Sequence, residues 1–305
     1  MMELVKNTKI DFMGLKKYAF AFSAALTLLG IVGTVQVYRG QANLGIDLAG
    51  GTSMQLRFQK PVAMDEVRAL LAKAGHGEAT LQGVPGENIL LVKLRAHGKA
   101  EEKMVAEPVV NLLKSSLAGN PFTVESVSEI GPAIGHKLRQ DAALALLVSA
   151  IAIIVYLAWR FELKFGVAAA IATFHDIFAM VGIFYILGIE KDLLFITALL
   201  TIGGYSLTDT VVVFDRIREN IRLRKRGTFS DTINLSVNEV LSRTIVTSLT
   251  VFLATISLLF FGGIVLRNFA LALAIGILIG TYSSIFVASP VVALWRGEKM
   301  TEVKG

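Results

Sequence analysis

At 305 residues, 54% of them hydrophobic and only 18% charged, the chain is too apolar to be wholly soluble, since soluble domains average roughly 45–50% apolar and about 25% charged. The excess is moderate, with a mean hydropathy of +0.62, so part of the chain is expected in water. The absence of cysteine excludes disulfides and thiol chemistry, and the net charge of +6 suits either a nucleic-acid binder or a membrane protein with basic cytoplasmic loops.

A hydrocarbon core about 30 Å thick needs roughly 20 apolar residues in a helix. Six runs qualify, at residues 18–38, 142–159, 165–188, 193–214, 244–262 and 269–294. The first follows Lys6, Lys9, Lys16 and Lys17 in a cytoplasmic tail, residues 1–17. It is longer than the ~7–15 residues of a signal-peptide apolar core and no A-x-A site follows, so an uncleaved anchor is expected.

With the N-terminus inside, residues 39–141 fall outside the cytoplasm as one α+β domain. Met54, Leu56 and Phe58 alternate with polar neighbours, which predicts a strand; Asp65 to Ala74 carries Val67, Leu70 and Leu71 on one helical face. A strand near Ala79–Gln82, a turn at Pro85–Gly86, a strand over Asn88–Leu94, a helix over Lys99–Leu117 and a strand over Phe122–Ile130 follow. The order β-α-β-β-α-β is that of the ferredoxin-like split βαβ motif, which hosts many functions. The domain holds no convincing catalytic set, and His76 and His97, in Gly-flanked polar stretches, are expected to be solvated.

Residues 142–294 form a domain of five spans, and residues 295–305 a cytoplasmic tail. The cytoplasmic basic loop 215–243 carries Arg216, Arg218, Arg222, Arg224, Lys225, Arg226 and Arg243, whereas the outer loops 189–192 and 263–268 hold only Lys191 and Arg267. This asymmetry sets the orientation, and it assigns the basic run to anionic membrane lipid rather than to nucleic acid.

A charge at mid-bilayer costs about 2.5–3.5 kcal/mol on insertion scales, so charged residues within spans are functional candidates. Asp209 lies in the otherwise uncharged run Leu193–Phe214, with Thr201, Tyr205 and Thr208 forming a polar stripe at i, i+4 and i+7. Arg243 opens the next span, and Arg243, Thr247 and Thr250 repeat that spacing. Arg243 is long enough to reach Asp209, and equally suits an interfacial arginine on the cytoplasmic side; both readings stand at this point. His175-Asp176 sits near the middle of its span, as a proton-handling pair or as a buried pair that holds helices together. Ala272, Gly276, Gly280, Ser284 and Ala288 recur every fourth residue of the last span, a spacing that lets helices approach closely.

Gly45-Ile46-Asp47-Leu48-Ala49-Gly50-Gly51-Thr52, His175-Asp176, the run Gly204–Asn220 and Arg243-Thr244 with Thr247-Ser248 together resemble the SecF family, the smaller half of the SecDF protein-export complex. The resemblance covers nearly the whole chain, including the plan of one span, a large external domain and five more spans. One departure is Thr208, where the family usually has Asn before the Asp; a hydroxyl lacks the amide's two donors.

The resemblance implies a resistance-nodulation-division relative that pairs with a SecD-like subunit into a twelve-span unit. It implies association with the SecYEG translocon, which works with SecA, and use of the proton gradient to help the exported polypeptide emerge. It makes Asp209 and Arg243 the proton-relay positions, with His175, Asp176, Tyr205, Thr208 and Thr247 as supporting polar groups. The expectation is a transport subunit of the bacterial inner membrane and not an enzyme, with no cofactor and no metal. A chain lacking the G-x-x-x-x-G-K-[ST] loop is not expected to use ATP. Two other classes fit the residues: half of a proton-coupled small-molecule exporter, and a non-transporting scaffold whose charges only join helices. The exporter would favour two repeats in one chain, and the scaffold would tolerate neutral replacements.

Overall fold

A computed structural model describes residues 8–39, 43–83, 87–95, 105–223 and 227–297. Lys6, the Pro85–Gly86 turn, His97, residues 99–104 and the Arg224-Lys225-Arg226 run lie outside the described residues. The chain divides into two compact units: one of membrane-length helices, and one α+β unit made of Leu44–Leu144 with Glu190–Leu193.

In the α+β unit, a short helix α2 (Ile46–Ala49) leads into β1 (Gly51–Phe58), α3 (Met64–Lys73), β2 (Thr80–Gly83), β3 (Ile89–Arg95), α4 (Ala106–Ser116) and β4 (Phe122–Ile130). The sheet order β2-β3-β1-β4, antiparallel throughout, is the split βαβ arrangement expected from the alternation. Met54, Leu56 and Phe58 from β1 and Leu90, Val92 and Leu94 from β3 meet Val67 and Leu71 of α3 and Val109 and Leu113 of α4 in one core. The strand alternation puts these apolar residues on the helix-covered face. Across the sheet, Arg57 binds Glu125, and the guanidinium holds that carboxyl below the ordinary glutamate range. His76 is half-buried.

Among the described residues, six helices are long and apolar enough to cross a membrane: α1 (Lys16–Tyr38), α5 (Pro132–Arg160), α6 (Leu163–Ile186), α7 (Leu193–Leu223), α8 (Phe229–Phe261) and a last span, Gly263–Arg296. The last span is α9 (Gly263–Ser283), a π-helical turn (Ser284–Ala288) and α10 (Ser289–Arg296). The chain is therefore a multi-pass membrane protein carrying a sheet-containing domain. α6 and the last span are the most buried helices, while α5 and α8 present most of their surface outward. α1 crosses α6 at backbone contact: a Cβ on Gly30 would lie 2.0 Å from the Phe178 carbonyl oxygen, and one on Gly182 2.7 Å from the Gly30 nitrogen.

Two expected loops are corrected. The basic segment 215–243 is helical over Asp215–Leu223 and Phe229–Arg243, because α7 and α8 run on past their apolar stretches. Polar pairs sustain the extensions: Arg216 binds Glu219 at 2.6 Å and Glu239 at 2.7 Å, and Asn220 donates to Glu239. A reciprocal cap between Thr228 and Asp231 starts α8. The outer loop 263–268 is also helical, the turn being confined to Gly262 and Gly263. Hydropathy marks the length that crosses lipid, and these helices exceed it.

On the same side as the helix extensions, the N-terminal segment is tied to α8 by two asparagines four residues apart. Asn238 accepts from the Ile10 N–H and donates to its carbonyl, while Asn234 accepts from the Met13 N–H and donates to Asp11. Phe12 and Met13 insert into the helix core beneath.

Candidate intramembrane polar site

The small residues of the last span build the site. A Cβ on Gly276 would come 2.0 Å from Ile202 Cδ1, and one on Gly280 2.9 Å from Ser206 Cβ, so the small-residue face packs on α7. That close approach brings serines of both helices to Asp176 on α6. Ser206 Oγ donates to Asp176 Oδ2 at 2.5 Å, and Ser283 Oγ donates to the same oxygen at 2.9 Å. The other carboxylate oxygen lies 3.0 Å from His175 Nδ1. Asp176 is completely buried, and these three contacts are what a sealed carboxylate requires.

A hydrogen on His175 Nδ1 aimed at the carboxylate leaves Nε2 as the lone-pair nitrogen, and Nε2 is buried with no hydrogen-bond partner among the described residues. The imidazole sits beside the Tyr282 ring, whose hydroxyl donates to the Ala19 carbonyl and meets Ser23 on α1. The π-helical turn begins immediately after Ser283, and such one-turn widenings are frequent at functional sites.

One turn along α7, Asp209 sits in a different setting. It is 7% exposed, and its one hydrogen bond among the described residues, from Ser248 Oγ on α8, is long at 3.4 Å. The Tyr205 hydroxyl donates to Ser248 at 3.1 Å, and Thr281 of the last span meets Ser248 at 2.7 Å. Two hydroxyls thus converge on Ser248, which alone reaches the carboxylate and leaves it under-bonded, since an O–H···O bond is normally about 2.5–3.0 Å.

Not every candidate residue reaches this cluster. Among the described residues Asp209 forms no ion pair within 4.0 Å; Arg243 is exposed on α8 and acts on it only by longer-range attraction. Thr208 and Thr201 point outward and bond back to the carbonyls of Gly204 and Thr197, and Thr247 bonds back to Arg243 and Thr244. The sequence reading missed Ser206, Ser248, Thr281 and Ser283. A lone hydroxyl in an apolar helix carries no signal that separates these from helix-bonded serines.

The outward groups form two stripes. Thr197, Thr201, Gly204 and Thr208 line the exposed side of α7, and Arg243, Thr247, Thr250, Ala254 and Ser257 run along that of α8 beside the exposed Leu249, Val251 and Leu253. The exposed side of α5, by contrast, is Leu144, Leu147, Val148, Ile151, Ile154 and Val155. Apolar helices meet lipid tails directly, whereas stripes of small and hydroxyl residues favour helix–helix contact.

Residues 111–298 match the family model for the C-terminal part of the SecD/SecF protein-export membrane proteins, and residues 42–62 match that of the SecD/SecF GG motif. The protein translocase subunit SecF of Thermodesulfovibrio yellowstonii is 51% identical over 296 residues, covering 96% of this chain and 97% of that one. The chain belongs to the SecF family of protein translocase subunits. SecF of Desulfurispirillum indicum is 42% identical over 94% of this chain and 92% of its own. In the crystal structure of SecDF, a translocon-associated membrane protein of Thermus thermophilus, the matching part is 39% identical and superposes with a TM-score of 0.81. That match takes in 97% of this chain and 40% of the SecDF chain, so this SecF-family protein spans less than half the length of its solved relative.

Proposed function

We propose that the protein works with a SecD-like subunit beside the SecYEG translocon, and that protonation of Asp209 couples the proton gradient to protein export. The observation carrying this is the pairing of an under-bonded, nearly buried carboxylate with an uncovered polar face. Asp209 has one long hydrogen bond at the head of a hydroxyl relay, Tyr205–Ser248–Thr281. Around it, the stripes on α7 and α8 offer a helix-packing surface of the kind a second half would cover. A SecD-like half is the favoured occupant because the solved relative is a single SecDF chain of which this protein matches only 40%.

In this reading Arg243 is the charge partner of Asp209 that docking of the second half brings closer, and Thr208 and Thr247 face that half. The positive-inside asymmetry supports cytoplasmic termini and a periplasmic α+β unit in the inner membrane. The exported polypeptide is handled on the periplasmic side, and the basic helix ends of α7 and α8 face anionic lipid.

Asp209→Asn tests the relay, because the amide keeps the shape and cannot titrate. In reconstituted vesicles containing both subunits and the translocon, it is expected to abolish the gradient-dependent increment of export while expression and assembly persist. An intact increment would refute proton coupling through Asp209.

A further inference from the structure

The strap Ile10–Met13 precedes α1 and belongs to the same compact unit as the membrane-length helices. Amide side chains hold its backbone. Asn238 closes a ring with Ile10, accepting from its N–H at 3.0 Å and donating to its carbonyl at 2.9 Å, as one strand pairs with another. One turn back on the same face of α8, Asn234 accepts from the Met13 N–H at 2.9 Å and donates to Asp11 at 2.7 Å. Ile10 is 42% exposed, so the amides grip the chain and not the side chain. Asp11 also accepts from the Gly14 N–H, and this bond together with the Asn234 amide holds its carboxyl below the ordinary aspartate range.

What the strap delivers is Phe12. Its buried ring meets Phe286 edge-on, 5.6 Å between centroids. Phe286 stacks on Tyr282 at 5.2 Å, and Tyr282 lies beside His175. Phe286 is the middle residue of the π-helical turn Ser284–Ala288, and the cause of that turn is local. Pro290 has no N–H to give the carbonyl of Phe286, and its ring crowds that carbonyl. Ser289 Oγ instead donates to the Ser284 carbonyl at 3.0 Å, five residues back. The extra residue in the turn sets α9 and α10 out of ordinary register. Closing it to an α-helix would rotate one against the other by about 100°. Ser283 could not then keep its bond to Asp176 while Val292 and Ala293 stay in the helix core.

The two ends of this chain of contacts differ in how easily they open. The amide bonds to Ile10 and Asp11 are exposed, where water replaces a lost partner at little cost, whereas the bond from Ser283 to Asp176 is sealed. We propose that residues 10–13 are a latch for the last span: docked on Asn234 and Asn238, the strap seats Phe12 on Phe286 and keeps the π-helical turn wide, and undocked it lets the turn close and Ser283 leave Asp176. Asn234, Asn238 and Phe12 are its positioning residues. The latch goes beyond the proton-coupling reading and stands whether or not Asp209 carries protons.

Amide hydrogen exchange of the full chain in lipid nanodiscs, read by mass spectrometry, follows the strap (residues 8–15) and the turn (residues 282–290) separately. Asn234→Asp sets a second carboxylate against Asp11 and should undock the strap, speeding exchange in both segments by about tenfold. Combining it with Asp11→Asn exchanges donor and acceptor, rebuilds the bond between them, and should return both segments to the native rate. Phe12→Ala leaves the amide bonds in place and should speed the turn alone. Residues 193–203 of α7 report general loss of packing and should not change. A strap that opens with the turn unmoved overturns the latch, as does a strap that stays docked in Asn234→Asp. So does a double variant that fails to restore the turn. A rise of equal size in α7 reduces Phe12 to ordinary packing and overturns the latch as well.

Discussion

Asp176 and Asp209 are both aspartates within membrane-length helices, and their surroundings differ in kind. Asp176, at the junction of α6, α7 and the last span, takes two serine donors and an imidazole and is sealed from solvent. Asp209, on the outer side of the same bundle, takes one long hydrogen bond beside a polar face that nothing among the described residues covers. A saturated carboxylate joins helices, because each donor it holds would be orphaned by its loss. An under-bonded one is free to change state, because little packing depends on which state it is in. Of two buried charges in one bundle, the less satisfied is the better candidate for chemistry.

That contrast can be broken most directly at Asp176. Asp176→Ala is expected to cost about 3–5 kcal/mol, since three donors lose their acceptor in a sealed site. Thermal unfolding of the detergent-purified chain measures it, and a loss below about 1 kcal/mol would show that the serines find other partners. Next comes the packing that makes the clasp possible. Gly280→Val should cost about 1–3 kcal/mol by overpacking against the Ser206 Cβ, and the same unfolding assay should show a smaller loss for Gly280→Ala, which adds less volume at that contact.

Asp209→Asn belongs at the other end of the stability scale. With one hydrogen bond of 3.4 Å at stake, the change in unfolding free energy should stay within about 1 kcal/mol. A loss as large as that of Asp176→Ala would erase the difference between the two sites and favour a purely structural Asp209.

The smallest effect is expected at a solvent-exposed carboxylate. Hydrogen bonding to Arg57 lowers the Glu125 pKa below its ordinary value of 4.5. The sign follows from linkage: a depressed carboxylate contributes stability that is fully present above its unfolded value and lost as pH falls through the folded one. Glu125→Gln should therefore lower the unfolding midpoint of the α+β unit slightly at pH 7, and its difference from the native chain should shrink to nothing as pH falls below about 4.5. An effect of equal size at acid and neutral pH would contradict the pairing.

The sequence by itself determined the elements. Six apolar runs are long enough to cross lipid, and an alternating Met54, Leu56, Phe58 makes a half-buried strand; both follow from local periodicity, which needs no knowledge of neighbours. It also located the ionisable groups within the spans, because a charge in an apolar run is conspicuous wherever it points. The tertiary structure alone decided what those groups touch. Ser206 and Ser283 reach Asp176 from 30 and 107 residues away, and the glycines that admit them act by having no side chain. Arg243 repeats the spacing of the polar stripe yet faces outward, while Ser248, five residues on, turns in to Asp209. A serine in an apolar helix looks the same in sequence whether it bonds its own backbone or a carboxylate on another helix. The difference lies in helix rotation and close approach, which are set by packing across the whole bundle.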